Sequence, residues 1–195
     1  MANTVYSMAF TTAPLLFSET MRVAELLAQT SDWSHVRETV LNDNLLQMRT
    51  DNAAKRIFNE ISSRLKQLTP DQMALLLAGS RREQNYLLWL AFCKRYQFVY
   101  EFAAEVMREK YLRLDLSLTI EDYEIFWNGK AEWHPEVQRV AQATRQKQRQ
   151  IVFKTMREAE LLTDQHEIVP AVLSSQLTAV LQADDPAHLS IFPVR

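Results

Sequence analysis

Glycine, cysteine and long apolar runs are scarce in this chain of 195 residues, and each scarcity excludes a class of protein. The only glycines, Gly79 and Gly129, lie far apart, which excludes the glycine-rich loops that bind nucleotide phosphates. The single cysteine, Cys93, excludes an internal disulfide framework and a cysteine-based zinc site, and it fits a reducing cytoplasm. We therefore expect no metal, nucleotide or other small-molecule cofactor.

Export and membrane signals are missing as well. The first seventeen residues contain no Lys or Arg, whereas a secretory signal begins with a basic region. The longest apolar run is "LLWLAFC", residues 87–93, which is far shorter than the ~20 residues that span a bilayer. These absences predict a soluble, cytoplasmic protein with no membrane partner.

The residues that are present favour helices. The chain is 47% hydrophobic, which is enough for a buried core, and Leu, Ala, Glu, Gln, Arg and Met dominate its long segments. We therefore expect an all-α fold, built as a compact multi-helix bundle. The β-branched stretch "EIVPAVLS", residues 167–174, is compatible with a short edge strand or wing.

Capping signals predict where several helices begin. Thr69 precedes a proline at the first helical position, and Gly79 is predicted to end that helix in a left-handed conformation. Ser80 and Thr119 each stand three residues before an acid, which is the spacing of a capping box. Residues 80–115 are predicted to form one central helix or a broken pair.

Three parts of the chain follow from these signals. Residues 1–68 form an N-terminal helical part, in which two closely joined helices predict a helix-turn-helix-like corner. Residues 69–162 form a central helical bundle, whose last long helix is predicted to open at Pro135. Residues 163–195 form a short C-terminal segment that packs back on the bundle, with a loosely held terminus from Ala183 onward.

Charge is segregated along the chain, although the net charge is only -2. From Arg139 to Arg157 there are six basic residues and no acid, and from Arg49 to Arg95 there are nine basic residues against four acids. Such segregation indicates charged faces rather than a uniform shell. It also fits a plain solvated helix surface, because Arg, Lys and Gln are good helix formers.

Helical geometry assigns these cations to outward faces. In residues 49–65 the apolar positions share one arc, and Lys55, Arg56 and Asn59 lie on the opposite one. In the late helix Lys147, Lys154 and Arg157 lie outside the apolar stripe, and Arg145 and Arg149 are expected to protrude. Side chains of these types contact phosphates and base edges. The predicted nucleic-acid-binding residues are Lys55, Arg56, Asn59, Arg145, Lys147, Arg149, Lys154 and Arg157.

Catalytic and metal-binding patterns are weak. The four histidines have no metal-ligand spacing, and His134 before Pro135 has the position of a helix cap. Glu121, Asp122 and Glu124 resemble a nuclease metal site, but acids are favoured in the first turn of any helix. We therefore predict a protein that is not an enzyme, with no catalytic and no metal site.

Four blocks of the sequence resemble the BrxA family of BREX bacteriophage-exclusion systems, in the same order and over about residues 5–182. They are "LLQMRTDNAAKRIFNEISSRL", "GSRREQNYLLWLAFCKRYQFVYEFAAEVMREKYL", "LTIEDYEIFWNGKAEWHPEV" and "TRQKQRQIVFKTMREAELL". The resemblance implies an all-helical bundle similar to the antitermination factor NusB. It also implies a non-enzymatic protein that binds nucleic acid, preferentially double-stranded DNA, beside other BREX components.

Three functions stay open at this level. The first is electrostatic binding of double-stranded DNA through its phosphates. The second is a scaffold whose basic surface docks other BREX subunits. The third is RNA binding in the manner of NusB.

Overall fold

The structure is a computed structural model that describes residues 5–195, and its regular elements are helices. Among those residues there is no strand, and only two isolated β-bridges occur, so the all-α prediction is confirmed. The α-helices are α1 Phe17–Thr30, α2 Trp33–Asn42, α3 Asp51–Leu65, α4 Pro70–Ala78, α5 Arg81–Arg95, α6 Gln97–Phe102, α7 Glu109–Leu112, α8 Ile120–Ala131, α9 Pro135–Gln138, α10 Gln142–Glu158 and α11 Ser175–Asp184. A π-helical segment, Ala103–Arg108, joins α6 to α7, and a 3-10 helix, Pro186–Ile191, follows α11.

The predicted caps begin three of these helices, and α3 begins at a cap of the same kind. Thr50 caps α3 by accepting a hydrogen bond from the amide of Ala53. Thr69, Ser80 and Thr119 each form a capping box with the residue three positions later, at the start of α4, α5 and α8. Caps are short-range interactions, so the sequence alone contains the information that they need.

Gly79 does not end α4 in a left-handed conformation, so that prediction was wrong. Its φ is -75° and its ψ is 167°, an extended conformation open to any residue. The reason for glycine is the close approach of neighbouring atoms. A Cβ at this position would lie 2.6 Å from the carbonyl oxygen of Leu75 and 3.1 Å from the Glu83 carboxylate that completes the next capping box.

The central stretch is a broken helix, with the later turns of α5 buried on every side and a break at Tyr96. The side chains from Tyr86 to Cys93 are almost entirely inaccessible to solvent. Tyr96 leaves the helical conformation at φ -127° and ψ 89°. Its hydroxyl donates to Glu60 of α3 at 2.7 Å, so the break directs a buried side chain toward a neighbouring helix.

The late stretch is two helices rather than the single one predicted from Pro135. Short α9 ends at Gln138, and Ala141 is extended at φ -62° and ψ 147° before α10 begins. Val137 is fully buried in α9. Arg139 therefore lies outside α10, and the cationic helix carries five basic residues.

The C-terminal segment is firmly packed, contrary to the predicted loose terminus. Ile191 and Phe192 are fully buried, and the indole nitrogen of Trp89 donates to the carbonyl oxygen of Ile191 at 3.0 Å. The stretch predicted as compatible with a strand contributes only isolated bridges at Glu167 and Ile168. Within the described residues it therefore forms no edge strand or wing.

Candidate nucleic-acid interface

The inner face of α10 holds this helix against the bundle. Its buried apolar side chains are Ile151, Val152, Phe153 and Met156. Opposite them Lys147, Gln150 and Lys154 are exposed, as the helical pattern predicted. Because the apolar stripe fixes the rotation of the helix, these polar side chains are held toward solvent.

Arg145 and Arg149 were expected to protrude, but they do not. Each guanidinium group contacts one carboxylate oxygen of Glu124 on α8. Arg145 contacts Oε2, and Arg149 Nη1 lies 2.6 Å from Oε1. Arg145 also donates to Asn128 Oδ1 at 3.0 Å and lies over the ring of Trp127. The exposed fractions of the two side chains are only 22% and 21%. One acid therefore offsets part of the charge of two predicted binding residues.

A cavity of about 410 Å³ opens at this cluster. Glu124, Arg145 and Arg149 line it together with two glutamines of α10. The Nε of Arg145 is buried and has no hydrogen-bond partner among the described residues. A buried donor without a partner is costly, so the contacts of Arg145 with Glu124 and Asn128 leave one of its N–H groups unsatisfied.

Lys154 and Arg157 make looser pairs farther along α10. Lys154 Nζ lies 3.7 Å from Glu158, and Arg157 Nε lies 3.7 Å from Asp164, whose side chain is 91% exposed. Exposed pairs of this length contribute about 0–1 kcal/mol to stability. Both cations can therefore exchange their partners for a phosphate at little cost.

Four predicted residues make no ion pair within the described part of the chain. Lys147 is exposed on α10, and Lys55, Arg56 and Asn59 are exposed on the first turns of α3. Their placement agrees with the predicted arcs, because Ala54, Ile57, Phe58, Ile61 and Leu65 occupy the buried side of α3.

Helices α3 and α10 both pack against α5, which lies at the centre of the bundle. Their last turns also hold the same N-terminal segment. Arg64 of α3 donates to the carbonyl oxygens of Ala13 and Pro14, and Glu158 of α10 accepts from the amide of Leu15 at 2.9 Å. The basic residues of α3 and those of α10 therefore lie on helices that pack against the same central helix and the same N-terminal segment. A surface that is continuous between them stays a prediction.

Arg81 is a basic residue outside the predicted nucleic-acid-binding set. It lies over the ring of Phe17 and lines a cavity of about 520 Å³ together with Lys154 and the segment from Pro14 to Glu19. The capping box at Ser80 places Arg81 at the first helical position of α5. Arg81 comes close to α10 only through the tertiary fold, so the local sequence does not predict this contact.

The side chains with catalytic potential have structural partners. Asp122 caps α8, Glu124 holds the two arginines, and His134 Nδ1 lies 3.1 Å from Glu136. Cys93 is fully buried, and burial raises the pKa of its thiol well above the ordinary value. In residues 5–195 no group of three or more His, Cys, Asp or Glu side chains is arranged to hold a metal ion.

Comparison with known proteins gives consistent matches. The sequence profile of the BrxA family matches residues 4–185. A BREX protein BrxA of Bacillus cereus (strain H3081.97) is 27% identical over 161 residues, which are 83% of this chain and 80% of the relative. A BREX protein BrxA of Escherichia coli O9:H4 (strain HS) is 29% identical over 171 residues, which are 87% of this chain and 80% of the relative.

A solved structure shares the fold. The crystal structure of an uncharacterized protein from Magnetospirillum magneticum superimposes with a TM-score of 0.83 at 17% sequence identity. The alignment covers 97% of this chain and all of that one. At this identity the match shows a common architecture and carries no functional information.

Fold and surface together define an all-α bundle with a cationic outer helix. No helix in the described range is long and apolar enough to cross a bilayer. The chain belongs to the BrxA family, as the four sequence blocks indicated. Membership makes it a component of the BREX type of phage-defence system. The likeness to NusB stays a prediction.

Proposed function

We propose that this protein is a non-enzymatic, nucleic-acid-binding component of a BREX system and that it binds double-stranded DNA mainly through phosphates. The observation that carries the proposal is the outer face of α10. Every charged residue from Arg145 to Arg157 on this helix is a cation. Lys147 is exposed, and Lys154 and Arg157 make only long pairs with acids, whereas Arg145 and Arg149 are paired with Glu124. Phosphate contacts of this kind give affinity without sequence readout.

Salt dependence tests the proposal directly. If about six phosphates are neutralised, the logarithm of the association constant falls against the logarithm of salt concentration with a slope of about -5. Fluorescence anisotropy with a labelled duplex measures this slope. Affinity that is independent of salt, or absent at low salt, would overturn the proposal.

A charge-matched pair of triple variants locates the surface. Replacing Arg145, Lys147 and Arg149 by glutamine is expected to weaken binding to unrelated duplexes alike, because phosphate contacts do not read sequence. The control replaces three exposed cations outside the proposed surface, Arg37, Lys66 and Arg113, and removes the same charge. Equal losses in both variants would show a non-specific charge effect.

Docking of other BREX components is the second candidate, and exposed apolar side chains favour it. Ile125 and Trp133 are 71% and 76% exposed, and large apolar side chains are common at protein interfaces. Co-purification that survives nuclease treatment but is lost in Trp133→Gln would favour docking. Competition among duplex DNA, single strands and structured RNA separates DNA binding from RNA binding.

A further inference from the structure

A second concave site lies beside the Glu124 cluster, between α10, the start of α8 and the loop after α10. Its volume is about 320 Å³, at the lower end of small-ligand sites. Ile120, Arg149, Gln150, Phe153, Lys154, Arg157 and His166 line it. None of these lining residues is acidic, so the site selects against cations and for anions.

Three cations of α10 line this site. Arg149 and Arg157 are eight positions apart on α10, which corresponds to about 12 Å along the helix axis. Lys154 lies between them. The carboxylates that contact these side chains lie outside the lining. Arg149 lies 2.6 Å from Glu124, whereas the contacts of Lys154 and Arg157 with their acids are long, at 3.7 Å. Two anionic groups held apart by a neutral body would match this distribution of charge.

The site also has apolar and aromatic lining residues. Ile120 is 43% exposed at the first position of α8. His166 is half-buried, and its ring packs edge-on against Phe153 with a centroid distance of 5.0 Å. Imidazole rings are among the side chains on which unpaired bases stack.

The wall that carries His166 is preorganised. His166 has a left-handed φ of 64°, and its amide donates to the carbonyl oxygen of Thr163 at 3.0 Å. Its own carbonyl oxygen accepts from the amide of Leu118 at 2.9 Å, which ties the loop to the segment before α8. These bonds fix the backbone of His166, so binding needs little ordering of this loop.

We infer that this site receives one unpaired nucleotide of a nucleic-acid strand, with its base against His166 and Ile120 and phosphates of the same strand at Arg149 and Arg157. The inference rests on the proposed function and deepens it, since intact duplex DNA has no unpaired base to offer. A strand interruption or a distorted duplex presents such a nucleotide. The protein then prefers DNA with a single-stranded gap over a perfect duplex of the same length.

The test compares two labelled DNAs, a perfect duplex and the same duplex with a single-stranded gap of about 5 nucleotides. Wild-type protein is expected to bind the gapped DNA more tightly. In His166→Asn, which removes the ring but tolerates a left-handed backbone, the ratio of the two affinities falls about fivefold or more, the lower end of losing one stacked base. Ile120→Gln is expected to lower the same ratio.

A matched control and the contrary outcomes make the test decisive. His35→Asn removes an exposed histidine of α2 and is expected to leave the ratio unchanged. Equal affinity of the wild type for both DNAs, or an unchanged ratio in both site variants, overturns the inference and leaves the proposed function standing. Absence of binding to either DNA at low salt overturns both.

Discussion

At the scale of single residues, the availability of a cation depends on its nearest acid. Arg145 and Arg149 are separated from Glu124 by more than twenty positions in sequence, and the fold brings all three side chains together. Lys147, two positions from each arginine, has no such partner among the described residues. Neighbouring cations of one helix therefore differ in how readily they contact a phosphate.

Replacement of Glu124 by glutamine is expected to strengthen DNA binding about 3- to 10-fold. The carboxylate competes with phosphate for two guanidinium groups, and a neutral amide competes less because charge-assisted hydrogen bonds are about twice as strong. Anisotropy titrations at two salt concentrations measure the effect.

Glu121→Gln is the matched control for that variant. Glu121 is exposed on the same helix, and its replacement removes the same charge. Long-range electrostatics would strengthen binding equally in both variants, whereas competition at the arginines affects only Glu124→Gln. Weaker binding by Glu124→Gln would mean that the carboxylate positions the arginines for DNA instead of competing with it.

At the scale of helices, α3 is held by a buried ion pair on its inner face. Arg64 Nε donates to Glu60 Oε1 at 2.8 Å, and Tyr96 donates to the same oxygen. Burial lowers the pKa of Arg64, although the neighbouring carboxylate opposes this shift. The pair links α3 to α5 and to the N-terminal segment.

Arg64→Met is expected to cost about 3–5 kcal/mol of unfolding free energy, because it leaves a buried carboxylate without its counter-ion. The control is Lys154→Met on α10, which breaks an i,i+4 pair of the same spacing on the surface. That change is expected to cost about 0–1 kcal/mol. Urea denaturation measures both values, and similar costs would show that burial does not decide the strength of these pairs.

Local capping signals predicted the starts of α4, α5 and α8, but not the start of α10. Thr69, Ser80 and Thr119 cap as expected because each cap needs only a few neighbouring residues. The break at Tyr96 depends on a partner in α3, and the conformation of Gly79 depends on the start of the next helix. Tertiary contacts set these features, and helix periodicity does not report them.

The same limit applies to the candidate interface. Helical arcs separated most exposed and buried positions of α3 and α10, since amphipathicity is a property of one helix, but Arg145 and Arg149 are largely covered. The pairing of Glu124 with two arginines and the approach of His166 to Phe153 join different elements. A single sequence shows which residue types are present on each face, but not which faces meet.

At the scale of the whole molecule, the C-terminal segment closes the bundle through one carboxylate oxygen. Asp184 Oδ2 at the end of α11 accepts from Lys94 Nζ of α5 at 2.6 Å and from Gln72 Nε2 of α4 at 3.1 Å. His188 Nε2 of the 3-10 helix lies 3.0 Å from the same atom. Four elements therefore meet at this oxygen, and the segment completes the core that positions α5.

Stability should depend on the charge of Asp184. Burial alone would raise its pKa, but hydrogen bonds from Lys94 and Gln72 and the charge of Lys94 outweigh burial, so the pKa lies below its ordinary value of 3.8. A lowered pKa in the folded state means that the stabilisation is complete above the ordinary value. It is lost as the pH falls through the folded value.

Asp184→Asn is therefore expected to be less stable than the wild type by about 1.5–3 kcal/mol at neutral pH, the range for hydrogen bonds to a charged group. The difference should shrink once the pH falls below about 3.8, because the wild-type carboxyl then becomes neutral as well. Urea denaturation over a pH series measures it. Asp164→Asn, at a fully solvated carboxylate 3.7 Å from Arg157, should match the wild type at every pH. A difference for Asp184→Asn that persists unchanged at acidic pH would show that shape rather than charge holds the C-terminal segment in place.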